Sequence, residues 1–547
     1  MRVKHDQNRH IFSITAIILG AVFSLFLIVG RSFRLRTDFS LITEAPWKAV
    51  LFFLLFWVIF SILLTLLYRW LDSLSSRSAV GSDSAIRPDI AHPALIRMLL
   101  LLLMWGAFQI WFLPGNIPSD PANQLSMFLN YSSWNTHHPF FATITLGAIY
   151  RVGLQIGGQN FGTFLCVLAQ DLLGAFSFAS MIAYIYRRRG SRVLSVISLL
   201  FFGLVPVFPA YMCSLGKDAF YLSYLALFLL SYVRILFRDE QKYTKLVLVV
   251  FGTLACMQRH DALYLVIPTL FVLIFLVEGK EQRRRVLLCF ILVLLLAVSE
   301  RMFVKRVLHL HSDRQTEALS IPLMQIGRYV MKHEDEMTPE EIAVIDAVVK
   351  YDGMAERYDP THSNSIKNHS RNKATKQDWM RFFGLWAQKL KEDPLTYVEA
   401  TMNFVFGYTD PVYIRDETLG MYISDNNKAG RAFATRILPE KFEAMALSYV
   451  RFWRRVFPLR IFMAAASYYW CYLILLGAVL RKKKSRKHVL IFVFPLLVFA
   501  ICCASPICGS IRYSMPALTA LPLFICVTLE RYSRPRSADS FSGAVQK

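Results

Sequence analysis

The chain is built from apolar runs that are as long as a lipid bilayer is thick. About 20 helical residues cross roughly 30 Å of hydrocarbon, and a helix satisfies its own backbone hydrogen bonds there. The runs therefore predict an all-α polytopic membrane protein with about 12 transmembrane helices and a mainly helical extracytoplasmic domain. The predicted spans lie near residues 11–30, 48–68, 94–113, 161–186, 192–211, 219–237, 244–257, 262–278, 286–304, 459–480, 488–504 and 514–529.

The basic residues set the predicted orientation. The formal net charge is +23, but Lys and Arg gather in short segments between apolar runs, as at 187–192, 280–285 and 481–487. This is the positive-inside pattern of cytoplasmic loops, so the charge indicates topology and we expect no nucleic-acid partner. Both termini are predicted to be cytoplasmic. The run 11–30 lacks a small-residue cleavage site and is predicted to stay as the first span.

Composition excludes several classes of protein. Hydrophobic residues make up 55% of the chain and charged residues 18%, which is too apolar for an ordinary soluble enzyme. Most of the nine cysteines lie inside apolar runs, so neither a disulfide framework nor a zinc site is expected. P-loop, Gly-rich dinucleotide-binding and zinc-protease patterns are absent from the sequence, which argues against nucleotide hydrolysis and metalloproteolysis.

The runs divide the chain into four parts. These are N-terminal spans with a cytoplasmic loop (1–93), a membrane core with an outward loop at 114–160 (94–304), an outward helical domain (305–457), and C-terminal spans with a cytoplasmic tail (458–547). In the outward domain, Thr338-Pro339-Glu340-Glu341 predicts a capped helix start. Two further helices are predicted at 377–390 and 394–406, and an exposed loop or lid at 362–377.

The predicted topology sends the polar segments between the spans to the outer side. The longest is the loop at 114–160, which holds one acid, Asp120, and the pair His137 and His138. The other outward candidates lie at 214–218, 258–261 and 505–513, and one reaction site could draw on all of these segments. Their candidate residues are Lys217, Arg259, His260 and Arg512.

Asp120 has two interpretations. An aspartate followed by Pro121 is typical of an N-cap that opens an amphipathic helix, and this purely structural role accounts for many such residues. The alternative is catalytic, because the carboxylate follows an apolar run and precedes His138-Pro139 and another apolar segment. A carboxylate in that place can serve as a general base at the membrane surface.

The basic candidates also have two interpretations. Lys217, Arg259, His260 and Arg512 could bind a phosphate, or they could contact lipid headgroups as ordinary interfacial charges. His137 and His138 could contact phosphate or a metal, or be loop histidines without such a role. Asp171 lies inside a predicted span, where an acid has either a function or a structural partner on another helix.

The acid and the His138-Pro139 pair resemble the GT-C superfamily of membrane glycosyltransferases, in particular its protein-mannosyltransferase-like branch and uncharacterised bacterial members. Those proteins place an acid in the first outward loop of their core and a His-Pro element before the next span. The resemblance covers roughly 94–280. Asp120 stands alone here, where many relatives have two adjacent acids.

The resemblance implies an inverting transfer of a sugar from a polyprenyl-phosphate donor on the outer face of a bacterial plasma membrane. The acceptor would be an envelope glycan, a glycolipid or a protein, as in polysaccharide biosynthesis. Asp120 would be the catalytic base, and the basic candidates and both histidines would bind substrate. The resemblance assigns no definite cofactor, and a divalent metal, Mg²⁺ or Mn²⁺, stays an open alternative.

Two other classes of function stay open. A flippase for lipid-linked saccharides would use Asp171 as its coupling site, although such transporters usually show repeats and broken helices. A polysaccharide polymerase or ligase of the O-antigen type would depend instead on arginines of the outer domain, which here are Arg328, Arg357, Arg371 and Arg381.

Overall fold

The structure is a computed structural model that describes residues 13–80, 89–189, 191–310, 319–371, 373–417, 419, 433–481 and 483–533. The described chain is all-α, and its only β pairing is three isolated bridges. The predicted cytoplasmic termini include residues 1–12 and 534–547, which lie outside the described residues. The helices, numbered in chain order, are α1 (Ile14–Arg36), α2 (Ser40–Thr43), α3 (Pro46–Val80), α4 (Pro93–Trp111), α5 (Ser119–Phe128), α6 (Phe140–Arg189), α7 (Arg192–Leu204), α8 (Val207–Met212), α9 (Lys217–Leu236), α10 (Thr244–Gln258), α11 (Ala262–Leu276), α12 (Lys280–Arg306), α13 (Ser320–His333), α14 (Pro339–Asp346), α15 (Asn364–Lys367), α16 (Lys376–Glu392), α17 (Pro394–Val405), α18 (Glu440–Arg455), α19 (Ala465–Leu480), α20 (Val493–Cys503) and α21 (Ile511–Ser533).

Seven helices of the described chain are long and apolar enough to cross a membrane. Many of their Leu, Ile and Val side chains point outward, as expected of surfaces that face lipid rather than water. The protein is therefore an all-α membrane protein. The seven segments are Ile14–Arg36, Pro46–Ser73, Pro93–Trp111, Phe140–Arg188, Lys217–Leu236, Lys280–Arg306 and Ile511–Glu530.

The predicted count of 12 transmembrane helices is not reproduced. The apolar runs near 192–211, 244–257, 262–278, 459–480 and 488–504 do form helices, but these have only 10–17 residues. At 1.5 Å per residue, such helices fall short of the roughly 30 Å of hydrocarbon in a bilayer. Apolar length in the sequence overestimated helix length because turns and 3₁₀ segments interrupt the runs, as at Leu459–Met463.

Part of the predicted outward loop at 114–160 is helical. Helix α6 begins at Phe140, and its backbone leaves helical geometry at Gly157 and Gly158, where φ of Gly158 is 79°. The chain reverses there, so that a Cβ on Gly153 would lie 2.6 Å from the Cα of Gly162. The two glycines let the arms of this hairpin approach each other more closely than side chains would permit.

Helix α9 is the centre of the helical bundle. Its candidate span is 94% buried, and that of α21 is 83% buried. Both helices begin with residues that the sequence had marked as outward candidates, Lys217 in α9 and Arg512 in α21. The two helices pack against each other, and because Arg512 donates to Asp218, their first turns lie side by side.

The predicted outer domain is helical and has its own apolar core, with Leu323, Ile345 and Phe382 fully or almost fully buried. The predicted capping box at Thr338 is confirmed, as are the helices predicted at 377–390 and 394–406. The prediction of an exposed loop at 362–377 is wrong in part. Its residues Ser363, Ile366 and Lys367 are buried, because the segment packs between the domain core and the loop that precedes α21.

Candidate functional site

The site begins with two backbone segments that pair near the first turn of α9. The Asn116 amide donates to Cys213 O at 3.0 Å, and the Leu215 amide donates to Asn116 O at 2.8 Å. The side chain of Gln170 in α6 also donates to Ser214 O at 2.9 Å. These contacts fix the start of α5 beside the start of α9, which places Asp120 next to Lys217.

The carboxylate of Asp120 faces two cations. Its Oδ2 lies 3.7 Å from Lys217 Nζ and 3.0 Å from Arg512 Nη2, and about a third of its side chain is exposed. Burial alone would raise the pKa of Asp120, but the charges of Lys217 and Arg512 outweigh burial and hold this pKa well below its ordinary value. Asp120 is not the N-cap of α5, since the helix begins at Ser119.

A second acid completes the pairing of Arg512. Arg512 Nε donates to Asp218 Oδ2 at 2.7 Å, while Arg512 Nη2 donates to Asp120 Oδ2. Asp218 also accepts from Arg259 Nη1 at 2.7 Å, and Arg259 in turn donates to both carboxylate oxygens of Asp261. The result is a network in which three cations alternate with three carboxylates. Burial lowers the pKa of Arg259, but Asp261 and Asp218 raise it by more.

His138 is held neutral. Its side chain is almost completely buried, and Nδ1 lies 3.2 Å from Lys217 Nζ. Because an ammonium group can only donate, Nδ1 accepts and the ring proton is on Nε2. Burial and the charge of Lys217 lower the pKa of His138 to about 3. Nε2 is buried and has no hydrogen-bond partner among the described protein atoms, which leaves a donor next to the catalytic candidates.

The other two candidate histidines, His137 and His260, lie near His138. His260 Nε2 donates to Thr136 O at 3.2 Å, and burial together with the charge of Arg301 lowers the pKa of His260 to about 4. The ring of His137 packs edge-on against that of His138, with 4.6 Å between ring centres.

One cavity of about 1010 Å³ connects these groups. Its volume is at the upper end of the roughly 300–1,000 Å³ typical of pockets for drug-sized ligands, so it has room for a large or composite substrate. Every outward candidate from the sequence lines it. These residues are Asp120, His137, His138, Lys217, Arg259, His260 and Arg512.

A smaller cavity of about 200 Å³ lies on the other side of the same residues. Asp120, Lys217 and Arg512 line both cavities, whereas Asp218 and Glu417 line only the smaller one. Asp120 is therefore reachable from two spaces.

Asp171 lies apart from both cavities. It is buried within α6 and accepts a hydrogen bond from Gln109 Nε2 of α4 at 2.9 Å. The structure thus gives this intramembrane acid a partner on another helix, which the sequence could not identify.

Sequence reasoning missed two acids and one part of the outer domain. Asp218 and Asp261 each directly follow a chosen basic residue or histidine, so the signal was adjacency in the same outward segment. The third omission is the α15 region, where Lys367 lines the larger cavity although it comes from the outer domain. Nothing in its local sequence indicates that position.

The residues that the structure describes do not form a divalent-metal site. Within the described ranges, no three His, Cys, Asp or Glu side chains come together as a ligand set would. Asp120 and Asp218, which both accept from Arg512, are each already paired with cations.

The arginines that a polymerase would need are also engaged elsewhere. Arg328 is buried against Glu399, and Arg371 pairs with Asp346. Neither of these residues lines the larger cavity, and the same is true of Arg357 and Arg381.

Comparison with known proteins gives a family for the chain. Neither a curated protein nor a solved structure matches it. The model of DUF6020, a family of unknown function, matches residues 127–541, which include His138, Lys217, Arg259 and Arg512. Since the match covers well over half of the chain, this protein belongs to the DUF6020 family.

Proposed function

We propose that this protein is a membrane glycosyltransferase that moves a sugar from a polyprenyl-phosphate donor to a hydroxyl of an acceptor. The observation that carries the proposal is the position of Asp120, a partly exposed carboxylate that lines a large cavity together with Lys217 and Arg512. Transfer from a lipid phosphate needs one base and several cations. Asp120 supplies the base, and Lys217 and Arg512 supply cations.

Phosphate recognition falls to the cations of the cavity. Lys217, Arg259 and Arg512 are the phosphate-binding candidates, and together with Lys367 they outnumber the two carboxylates of the cavity, Asp120 and Asp261. The excess of positive charge favours an anionic ligand, and guanidinium groups hold phosphate oxygens by charge-assisted hydrogen bonds.

Asp120 would act as the base once the donor is bound. In the free protein its low pKa makes it a weak base, because Lys217 and Arg512 stabilise the charged form. A donor phosphate competes for those two cations, so the pKa of Asp120 rises in the complex. The carboxylate is then better matched to accept a proton from the attacking hydroxyl.

The reaction is a single displacement. The acceptor oxygen forms a bond to the anomeric carbon while the bond from that carbon to the phosphate oxygen breaks. The electron pair leaves with the polyprenyl phosphate, whose negative charge the cavity cations stabilise, and the acceptor proton passes to Asp120. Attack from the face opposite the leaving group inverts the anomeric centre.

The location follows from the same proposal. The cavity would open to the outer face of a bacterial plasma membrane, with membrane lipids around the bundle and both termini in the cytoplasm. The acceptor would belong to the cell envelope, as a glycan, a glycolipid or a protein. The GT-C resemblance of Asp120 and His138-Pro139 agrees with this arrangement, and no step of it passes through a metal ion.

The competing functions have less support. A flippase that couples transport through Asp171 would need that residue near the substrate path, yet Asp171 is hydrogen-bonded to Gln109 away from the cavity. A polymerase driven by outer-domain arginines would need them at the cavity, and none of the four candidates lines it.

A transfer assay tests the proposal. The full-length protein in nanodiscs is incubated with a panel of undecaprenyl-phosphate-linked hexoses and with envelope extract as the source of acceptor. We expect at least one donor to be consumed, with release of undecaprenyl phosphate and loss of this activity in Asp120→Asn. If no donor in the panel is consumed, the proposal is wrong.

A further inference from the structure

A short segment of the outer domain reaches the larger cavity. Asn364, Lys367 and Asn368, in and directly after α15, line it together with Asp120. Residues spaced three and four apart lie on one face of a helical turn, so the three side chains form a single patch. The intervening Ile366 is fully buried in the core of the domain. One face of this turn therefore holds the domain together, and the other faces the cavity.

Backbone pairing fixes this segment in place. The Ser363 amide donates to Pro506 O at 2.8 Å, and the Cys508 amide donates to Thr361 O at 2.9 Å. Pro506 and Cys508 both belong to the loop that leads into Arg512. The patch is thus held in position relative to Arg512, as a pre-organised binding surface requires.

The two asparagines of the patch differ in chemistry from the phosphate-binding cations. A side-chain amide offers a donor and an acceptor on neighbouring atoms, which matches adjacent hydroxyls that also donate and accept. Two more amides, Asn123 and Asn135, line the same cavity. An alkyl chain packed against these groups would bury them without hydrogen bonds at a cost in free energy, so the polyprenyl tail is a poor occupant.

We propose that Asn364, Lys367 and Asn368 form a saccharide-binding subsite of the larger cavity. The inference builds on the proposed function, since that function is what brings a sugar to this cavity. The sugar could belong to the donor or to the acceptor. Both present the same vicinal hydroxyls, and binding measurements can tell them apart.

The test measures binding to the full-length protein in nanodiscs, in an Asp120→Asn background so that turnover does not consume the probe. The first arm compares undecaprenyl phosphate with undecaprenyl phosphates that carry glucose, mannose or galactose. The second arm uses free fluorescent oligosaccharides of the same sugars. Each probe is tested with and without the added pair Asn364→Ala and Asn368→Ala. His369→Ala, at an exposed neighbour outside the cavity lining, is the matched control.

We expect the double substitution to weaken saccharide binding by about tenfold, the effect of losing one or two hydrogen bonds. A loss confined to sugar-bearing undecaprenyl phosphates, with unchanged affinity for the bare lipid phosphate, assigns the subsite to the donor sugar. A loss in the free-oligosaccharide arm assigns it to the acceptor. Saccharide binding that is absent, or equal in the double variant and the His369→Ala control, overturns the subsite.

Two further measurements keep the result interpretable. Thermal unfolding of the double variant checks that it folds, and Asn368→Asp supplies an isosteric variant that loses the amide donors at an exposed position. Failure of sugar transfer by the unmodified chain would reject the proposed function without changing either binding arm, so the two ideas can fail separately.

Discussion

Arg512 Nε lies 2.7 Å from Asp218 Oδ2, although the two residues are 294 positions apart in the chain. The same guanidinium donates to Asp120, so one side chain joins an acid that starts α9 to an acid that starts α5. Asp120 and Asp218, which are 98 positions apart in the sequence, are thus brought together by a third residue. The consequences of that arrangement can be measured.

Replacing Asp120 by Asn should abolish sugar transfer, with a loss of about 10²- to 10⁴-fold, the usual contribution of a general base. The fold should survive, because the amide keeps the shape of the carboxylate and the site is partly open. Affinity for undecaprenyl phosphate should stay the same or increase, because Lys217 and Arg512 lose an anionic competitor. Initial rates and a lipid-phosphate binding assay measure both effects.

Asp239→Asn is the matched control, because Asp239 pairs with Arg187 and does not line either cavity. Its transfer rate should equal that of the unmodified protein. Full activity in Asp120→Asn would reject the role of Asp120 as base.

Lys217→Ala and Arg259→Ala should both weaken donor use, but they should differ in stability. Arg259 is nearly buried between Asp218 and Asp261, so its removal takes one of two cations from the buried Asp218 and costs about 3–5 kcal/mol of unfolding free energy. Combining Arg259→Ala with Asp218→Asn should recover part of that loss, since the carboxylate that lost its cation is then neutral. Denaturant unfolding of the single and double variants measures the coupling, and strict additivity would contradict it.

The sequence was sufficient for the class of fold, and it selected several residues that line one cavity, for physical reasons. Bilayer-length apolar runs leave the backbone little choice but helix, and positive-inside alternation sorts polar segments onto one side. Asp120, Lys217, Arg259 and Arg512 could therefore be selected together before their contacts were known. The contacts between these residues could not be predicted, because they depend on how α5, α9 and α21 pack.

Other features lay outside the reach of the sequence. The reversal of α6 at Gly158 requires a positive φ. Gly153 and Gly162 are needed as glycines only because this reversal brings the two arms of the hairpin into contact. The partner of Asp171 likewise depends on the register of α4 against α6, which brings Gln109 to it. Periodicity within one helix carries no information about that register.

Stability should fall as the pH is lowered from about 7 to about 4.5, in part because of His138. Its pKa is lowered from 6.5 to about 3 in the folded protein, so in this range the unfolded chain binds a proton that the folded chain does not. The unfolded state then takes up more protons as the pH falls, and the free energy of unfolding decreases. His138→Gln should lose less stability over the same range. Thermal unfolding at the two pH values measures the difference, with the exposed His309→Gln as the control; equal losses in all three proteins would contradict the burial of a neutral His138.

Asp171→Ala should lower stability more than turnover. The substitution leaves the half-buried amide of Gln109 without its acceptor, and an unsatisfied polar group shielded from water costs about 1–3 kcal/mol. Asp171 lines neither cavity, so transfer rates at a permissive temperature should stay within about twofold, the change expected of a residue without contact to substrate. A selective loss of ion-coupled flux with normal stability would instead favour the transporter function.

Glu417 should act as a positioning residue for Arg512. Its carboxylate accepts from Ser510 Oγ at 2.8 Å and from the Ile511 amide at 2.9 Å, and so it holds the first turn of α21. Glu417→Ala removes both acceptors. Because a shift of about 1 Å in a substrate-positioning group can cost about 10²-fold in rate, we expect kcat to fall by tenfold or more and the KM for the donor to rise.

Glu417→Gln separates positioning from charge. The glutamine oxygen can still accept from the Ile511 amide, and its amide group can donate to Ser510 Oγ, so most of the activity should return. Glu440→Ala, at an exposed acid in the first turn of α18, is the control for a helix-start carboxylate that lines neither cavity. If Glu417→Gln were as inactive as Glu417→Ala while both stayed folded, the negative charge of Glu417 would be what matters, and its role as a support for Arg512 would be rejected.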